Sequence, residues 1–199
     1  MRTTLFLFAF CGLALASCNN NAGTATTASN DTTKSQATIP LAALQSKLND
    51  TGTQMLMSVV NKYYDLKNAL VASNSDKTMN AAIELGKITD SFKASIQKDA
   101  ANTASLAPYL DTVIAQSKAA ASVKDESCEK QRLAFGPLSS AMYGLVKATG
   151  LKNAHIYQEY CPMAFNDKGA HWLSNDSEIK NPYFGKKMLE CGEVTDVIK

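Results

Sequence analysis

The segment that decides the fold reads MLMSVVNKYYDLKNAL and spans residues 55–70. Its apolar side chains recur at steps of four, four, three and four residues, which is the spacing of one face of an α-helix. Thr53 precedes the segment and is its expected N-cap. A helix with a single apolar face must bury that face, so the segment predicts a helical core. The side chains on this face are Met55, Val59, Tyr63, Leu66 and Leu70.

Three further segments repeat this spacing, and short polar connectors join them. The pattern predicts an all-α fold in which residues 53–150 form an up-down four-helix bundle. The later faces carry Ala81, Leu85, Ile88, Phe92 and Ile96, then Leu106, Leu110, Val113 and Ser117, then Cys128, Phe135, Leu138, Met142 and Leu145. We expect the core to be lined by Tyr63, Leu66, Leu85, Phe92, Leu110, Phe135, Leu138 and Met142.

Two prolines fall within the predicted helices. Pro108 is expected in the first turn of the third helix, where its missing N–H costs nothing. Gly136-Pro137 is expected to kink or break the fourth helix, which should run from about residue 124 to Thr149. Gly150 is its expected C-terminal stop.

Residues 151–199 predict a loop-rich C-terminal extension of the same domain, packed on the bundle. Only residues 155–160 alternate as a strand would, whereas Asn181-Pro182 and Gly185 mark turns. The large apolar side chains expected to pin the extension to the bundle are Trp172, Tyr183 and Phe184.

The N-terminus has the features of a targeting segment, and residues 1–17 are interpreted as a signal peptide. Its apolar run ends in Leu15-Ala16-Ser17-Cys18, which resembles a bacterial lipobox. The resemblance implies that Cys18 is lipidated and becomes the first mature residue, which anchors the protein to a membrane. Asn19 follows, and similarity to known sorting rules implies a periplasm-facing outer-membrane lipoprotein. Residues 18–52 are otherwise rich in small polar side chains and are interpreted as a flexible tether.

Composition excludes one class of partner and limits the cysteine chemistry. The net charge is +2 with no basic cluster, which gives no electrostatic case for nucleic acid binding. Of five cysteines, Cys11 leaves with the signal and Cys18 carries lipid, so Cys128, Cys161 and Cys191 remain. The compartment permits a disulfide, but three thiols allow only one internal bridge.

Four sulfur-containing residues of the extension form two near-mirrored pairs. Cys161 and Met163 lie two residues apart, and Met188 and Cys191 lie three apart. Thiolate and thioether ligands select soft cations, above all Cu(I), so these residues form a candidate Cu(I) or Ag(I) site. His171 is a further candidate ligand, although a loop histidine is more commonly just hydrogen-bonded.

The alternative is structural. A Cys161–Cys191 disulfide would close a loop of 30 positions, to which the chain-entropy model assigns about 3.7 kcal/mol. The methionines would then simply be packed, and the two states could alternate with redox conditions. Cys128 lies on the apolar face of the fourth helix and is interpreted as a buried small hydrophobe. A nucleophile built from Cys161 and His171 would lack a third residue placed by any motif, so we expect no enzymatic activity.

The extension also resembles a known family. Residues 160–165 (YCPMAF), 181–185 (NPYFG) and 188–192 (MLECG) are similar to the tail of an uncharacterised bacterial domain. That domain occurs alone in small secreted or lipidated proteins, and at the C-terminus of periplasmic adaptors of copper/silver-type efflux pumps. The family's tail does not require His171 or Cys128.

The expected function is therefore that of an envelope lipoprotein that binds Cu(I) or Ag(I) in heavy-metal handling or efflux. The alternative is a non-catalytic interaction module that docks on an efflux adaptor or another envelope protein, with a structural Cys161–Cys191 disulfide.

Overall fold

A computed structural model describes residues 44–199. The predicted signal peptide, the lipidated Cys18 and most of the tether lie outside this range. Four long helices follow one another and form the larger part of the described chain, so the predicted helical bundle is confirmed. They are α1 (Asp50–Val71), α2 (Ser75–Ile96), α3 (Ala100–Ala121) and α4 (Glu129–Thr149). Within the described residues, no helix is long and apolar enough to cross a membrane.

The core lies where the spacing of the apolar residues predicted it. The side chains of all eight predicted core residues are completely buried. Each helix packs most extensively on the next one in the chain: α1 on α2, α2 on α3, and α3 on α4. Helices α1 and α4 meet through side chains, since the rings of Tyr63 and Phe135 stack with centroids 5.4 Å apart. The Tyr63 hydroxyl also lies 2.7 Å from the Ser139 hydroxyl in α4.

The helix ends differ in part from the sequence predictions. The N-cap of α1 is Asn49, whose side chain accepts a hydrogen bond from the Gly52 N–H. Thr53 instead lies inside the helix, where its hydroxyl donates to the Asn49 carbonyl. Helix α4 begins at Glu129, after Cys128 has adopted a left-handed conformation with φ of 59°. Gly150 ends α4 as predicted, also in the left-handed region.

Neither proline interrupts its helix. Pro108 lies in the third turn of α3 and not in its first, and α4 continues through Gly136-Pro137. Both proline side chains are exposed. The carbonyl left without a partner by each proline can therefore bond to water, which makes a mid-helix proline tolerable.

The C-terminal extension contains more regular structure than a loop-rich tail. Its strands β1 (Ile156–Cys161), β2 (Ala170–Ser174) and β3 (Glu193–Ile198) form an antiparallel sheet in the order β2-β1-β3. A left-handed turn at Ala164–Asp167 separates β1 from β2, and a 3₁₀ turn at Gly185–Lys187 lies between β2 and β3. The sheet packs along α4 through β2.

Aromatic contacts join this extension to the bundle. The Tyr183 ring lies 5.6 Å from the Phe135 ring of α4, 5.1 Å from the Phe165 ring and 5.9 Å from the Trp172 ring, measured between centroids. Trp172 and Tyr183 are buried, and Phe184 is half-buried. The predicted apolar contacts therefore form, and they lie against the side of α4 and α1.

Candidate functional site

Strand alternation assigns the side chains of β1 and β2 to two faces of the sheet. Glu159, Cys161 and Trp172 share one face, because Glu159 pairs with Trp172 and successive residues alternate. Tyr160 and His171, which pair with each other, lie on the opposite face. Glu159, Cys161 and Trp172 are completely buried. Tyr183 and Gly192, in the loop between β2 and β3, pack against Trp172 on this face.

Cys161 and Cys191 come together beneath this loop. Their sulfurs lie 2.9 Å apart, and both are free thiols. Cys161 is completely buried at the end of β1, whereas Cys191 is half-buried in the loop before β3. The hydrogen bond with the Cys161 thiol raises the pKa of Cys191 to about 11. Near neutral pH this thiol is therefore protonated, and it must lose its proton to bind a metal ion.

Gly192 allows the loop to approach β1 this closely. A Cβ atom at this position would lie 2.8 Å from the Trp172 ring and 2.8 Å from the Tyr160 carbonyl oxygen. The residue also has a φ of 151°, a conformation that other residues rarely adopt. A side chain here would force the segment that carries Cys191 away from Cys161.

The two methionines have different relations to the cysteine pair. Met188 and Cys191 are the ends of one turn, closed by a 3.3 Å hydrogen bond from the Cys191 N–H to the Met188 carbonyl. The same turn lines a shallow surface depression of about 350 Å³. Met188 is half-buried, while Met163 follows Cys161 by two residues and is 45% exposed. Thioether sulfur is thus present on both chain segments that meet at the thiols.

His171 does not join the cysteines. Strand alternation directs it to the face opposite Cys161, where its ring packs on the Tyr160 ring with centroids 4.5 Å apart. Partial burial lowers the pKa of His171, which favours the neutral ring. Within residues 44–199, no group of three or more His, Cys, Asp or Glu side chains is gathered as a metal site. Among these residues the thiol pair therefore has no third Cys, His, Asp or Glu ligand, and Met163 and Met188 are the remaining side-chain candidates.

Cys128 lies apart from this pair, at the start of α4. It is completely buried, as predicted, although it precedes the first residue of α4 and is not part of the helix. Burial raises the pKa of its thiol, which keeps it protonated and unreactive.

A buried polar group adjoins the thiol pair and was not predicted from the sequence. Glu159 is completely buried and Lys67 of α1 is 3% exposed. The Lys67 amine donates to the Ser174 hydroxyl at 3.3 Å. The Trp172 indole N–H and the Ser174 hydroxyl lie beside the Glu159 carboxyl and act to lower its pKa, although neither makes a well-aligned hydrogen bond with it in the described part of the chain. Burial raises the pKa of Glu159 to about 7, with Lys67 opposing the shift, while burial lowers the pKa of Lys67.

One sequence signal could have found this group. Lys67 lies four residues after Tyr63 and three before Leu70, so it occupies the apolar face of α1. A lysine there is rarely fully buried without a partner. The position of Lys67 therefore predicts an acidic or polar partner on another element, and Glu159 of the extension is that group.

A second buried cation fastens the loop between β2 and β3 to the bundle. Arg132 of α4 donates from Nε to the Pro182 carbonyl at 2.8 Å, from Nη2 to the Leu70 carbonyl at 3.1 Å, and to the Ser73 hydroxyl at 2.9 Å. Gly185 packs at the same point, where a Cβ would lie 2.4 Å from the Ser73 hydroxyl oxygen. The loop is thus tied to both α1 and α4.

Comparison with known proteins gives a family match for the bundle. Residues 59–154 match the model of a family described as "Protein of unknown function (DUF3347)". This match spans a little under half of the chain and ends before Cys161. No curated protein and no solved structure matches the chain.

Proposed function

We propose that this protein is an envelope lipoprotein that binds Cu(I) or Ag(I) through Cys161 and Cys191 and takes part in heavy-metal handling or efflux. The observation that carries the proposal is the contact between the two thiols, which lie 30 positions apart in the chain but 2.9 Å apart in space. Two thiolates with a thioether nearby form a ligand set that selects soft monovalent ions. Zinc would require additional Cys or His ligands, which the described residues do not gather here.

The residues fit such an ion after a small movement. Metal–thiolate bonds are about 2.3 Å long, so two sulfurs on one ion must lie roughly 4 Å apart. Cys191 is the thiol that can move, because it is half-buried in a surface turn while Cys161 is fixed in β1. Met188, at the other end of this turn, would supply the third sulfur, with Met163 as the alternative.

Solvent access also favours this site. The turn from Met188 to Cys191 lines an open depression, so an ion could arrive at Cys191 without the bundle opening. Cys161 lies behind it and would complete the coordination. The loss of thiol protons makes binding pH-dependent, and affinity should rise on the order of tenfold per pH unit for each proton displaced.

The cellular setting of the proposal rests on resemblance. The Leu15–Cys18 motif supports lipidation at Cys18 and a periplasm-facing outer-membrane location. The YCPMAF, NPYFG and MLECG motifs are similar to a domain of copper/silver efflux adaptors, which makes such an adaptor the proposed partner.

Competition against a Cu(I) chelator tests this function in the reduced protein. The wild type should withdraw Cu(I) from the chelator, whereas Cys161→Ser should not. Met188→Leu should bind more weakly but remain folded, because leucine keeps most of the volume and lacks the sulfur. Met142→Leu, a buried methionine in the bundle core, is the matched control and should bind as the wild type does. If the wild type competes no better than the Cys161→Ser, Cys191→Ser double variant, the proposal fails.

A second candidate is a structural clasp. The 2.9 Å sulfur separation favours it directly, because a disulfide bond of about 2.05 Å requires only a short approach. In that case the bundle and its extension would serve as an interaction module for an envelope partner. Peptide mapping without reduction, on protein taken directly from the envelope, would detect a linked Cys161–Cys191 pair.

A further inference from the structure

Asn181 is the first residue of the NPYFG motif and lies in the loop between β2 and β3, where the sequence predicts only a turn. It is completely buried. Its backbone N–H donates to the Leu189 carbonyl at 2.8 Å, and its carbonyl accepts from the Gly185 N–H at 3.0 Å. The main chain of Asn181 is therefore bonded both to the following turn and to the segment that leads to Cys191.

The Asn181 side chain uses both ends of its amide. Its oxygen accepts hydrogen bonds from the Tyr183 N–H at 2.8 Å and the Phe184 N–H at 3.2 Å, which fixes the turn. Its nitrogen donates to the Cys191 carbonyl at 2.6 Å. One buried side chain thus connects the first residues of the turn with the cysteine ten positions later.

The segment that carries Asn181 is hydrogen-bonded to the bundle. The carbonyl of the next residue, Pro182, accepts the hydrogen bond from Arg132 Nε, and Arg132 is held in turn by α1. These hydrogen bonds fix the position of Cys191 relative to the helical bundle. Cys161 is held by a strand of the sheet that packs on the same bundle.

We propose that Asn181 is the positioning residue that holds the Cys191 thiol against Cys161 and so sets the reactivity and metal affinity of the pair. The part concerning metal affinity rests on the proposed function, whereas the part concerning thiol reactivity does not. Asn181 touches no ion in this proposal and acts only through Cys191.

Two substitutions separate this role from the role of Asn181 in the turn. Asn181→Ser keeps a short oxygen that can accept from the turn N–H groups, but this side chain is too short to reach the Cys191 carbonyl. Asn181→Asp keeps the shape and the acceptor, and replaces the donor with an oxygen that repels that carbonyl. Tyr183→Phe is the matched control, because it removes the 2.6 Å hydrogen bond from the Tyr183 hydroxyl to the His171 carbonyl without touching Cys191.

The measurement is the thiol–disulfide equilibrium of each protein with glutathione. Oxidation of the two protein thiols to one disulfide reduces one glutathione disulfide to two glutathione thiols, so the equilibrium constant reports how well the cysteines are held together. Loss of one positioning hydrogen bond should lower this constant about three- to tenfold in Asn181→Ser, and further in Asn181→Asp. Tyr183→Phe should stay within about twofold of the wild type.

Thermal unfolding of the same variants completes the test. If both Asn181 variants melt cooperatively and keep the wild-type glutathione equilibrium, Asn181 is merely structural and the inference is overturned. The same conclusion follows if Tyr183→Phe changes the equilibrium as much as Asn181→Ser does. A wild type that fails to compete for Cu(I) removes the metal function alone, since the glutathione equilibrium still decides the role of Asn181.

Discussion

The ring of Tyr183, in the loop between β2 and β3, packs 5.6 Å from the ring of Phe135 in α4. Phe135 also stacks on Tyr63 of α1, so one buried ring joins two helices and the C-terminal extension. The bundle and the extension consequently share a single core, so a substitution in that core should destabilise both.

Phe135→Ala should lower the free energy of unfolding by about 3–5 kcal/mol, because it leaves a cavity at this junction. Leu133→Ala is the matched control on the same helix, since Leu133 is 62% exposed and should cost less than about 0.5 kcal/mol. Urea denaturation measures both. A loss below about 1 kcal/mol for Phe135→Ala would show that the contact contributes little.

Glu159 should give the protein a specific dependence of stability on pH. Its pKa is raised to about 7 in the folded state from an ordinary value of 4.5. Between these values the folded chain holds a proton that the unfolded chain releases, so this group's contribution to stability falls as pH rises from about 4.5 to 7. The slope for one proton is at most about 1.4 kcal/mol per pH unit.

Glu159→Gln should remove that contribution. The difference in unfolding free energy between variant and wild type should therefore grow in favour of the variant as pH increases through this window. Ser177→Ala, at an exposed position without an ionisable side chain, is the control and should leave the pH profile unchanged. Parallel pH profiles for the wild type and Glu159→Gln would contradict the assignment.

The helical part of the fold could be predicted because its information is local. Apolar side chains such as Leu66 and Phe92 recur at the helical period, and burial follows directly from that spacing. The predictions for Pro108 and Pro137 were wrong for the same reason. Local sequence rules do not include solvent exposure, and both proline rings face solvent, where a mid-helix proline is tolerated. The N-cap of α1 was also predicted wrongly. Asn49, four residues before Thr53, accepts the hydrogen bond from a free N–H group of the first turn.

The sheet and the site were harder to predict, because both depend on contacts between residues that are far apart in the sequence. Strand β3 has no buried face that an alternating pattern could mark, because its residues are exposed or half-buried except for Ile198. The convergence of Cys161 and Cys191 was expected from their mirrored sulfur pairs. The roles of Glu159 and Asn181 were not, because a buried polar side chain is recognised only through partners on other elements.

Lipidation at Cys18 lies outside the described residues and stays a prediction. Mass spectrometry of the N-terminal peptide should find Cys18 as the first residue, with acyl groups on its sulfur and amine. Cys18→Ser should abolish acylation and release the protein from the membrane fraction. Recovery of the wild type as a soluble product with a free amine at another residue would contradict the lipobox assignment.

X-ray absorption at the copper edge most directly tests the central claim that Cys161 and Cys191 hold a soft metal ion. The sample is reduced protein loaded with one equivalent of Cu(I), with the Cys161→Ser, Cys191→Ser double variant treated identically. The account predicts a first shell of two or three sulfur atoms at about 2.3 Å, which disappears in the double variant. A nitrogen or oxygen shell, or equal copper retention by both proteins, would contradict it.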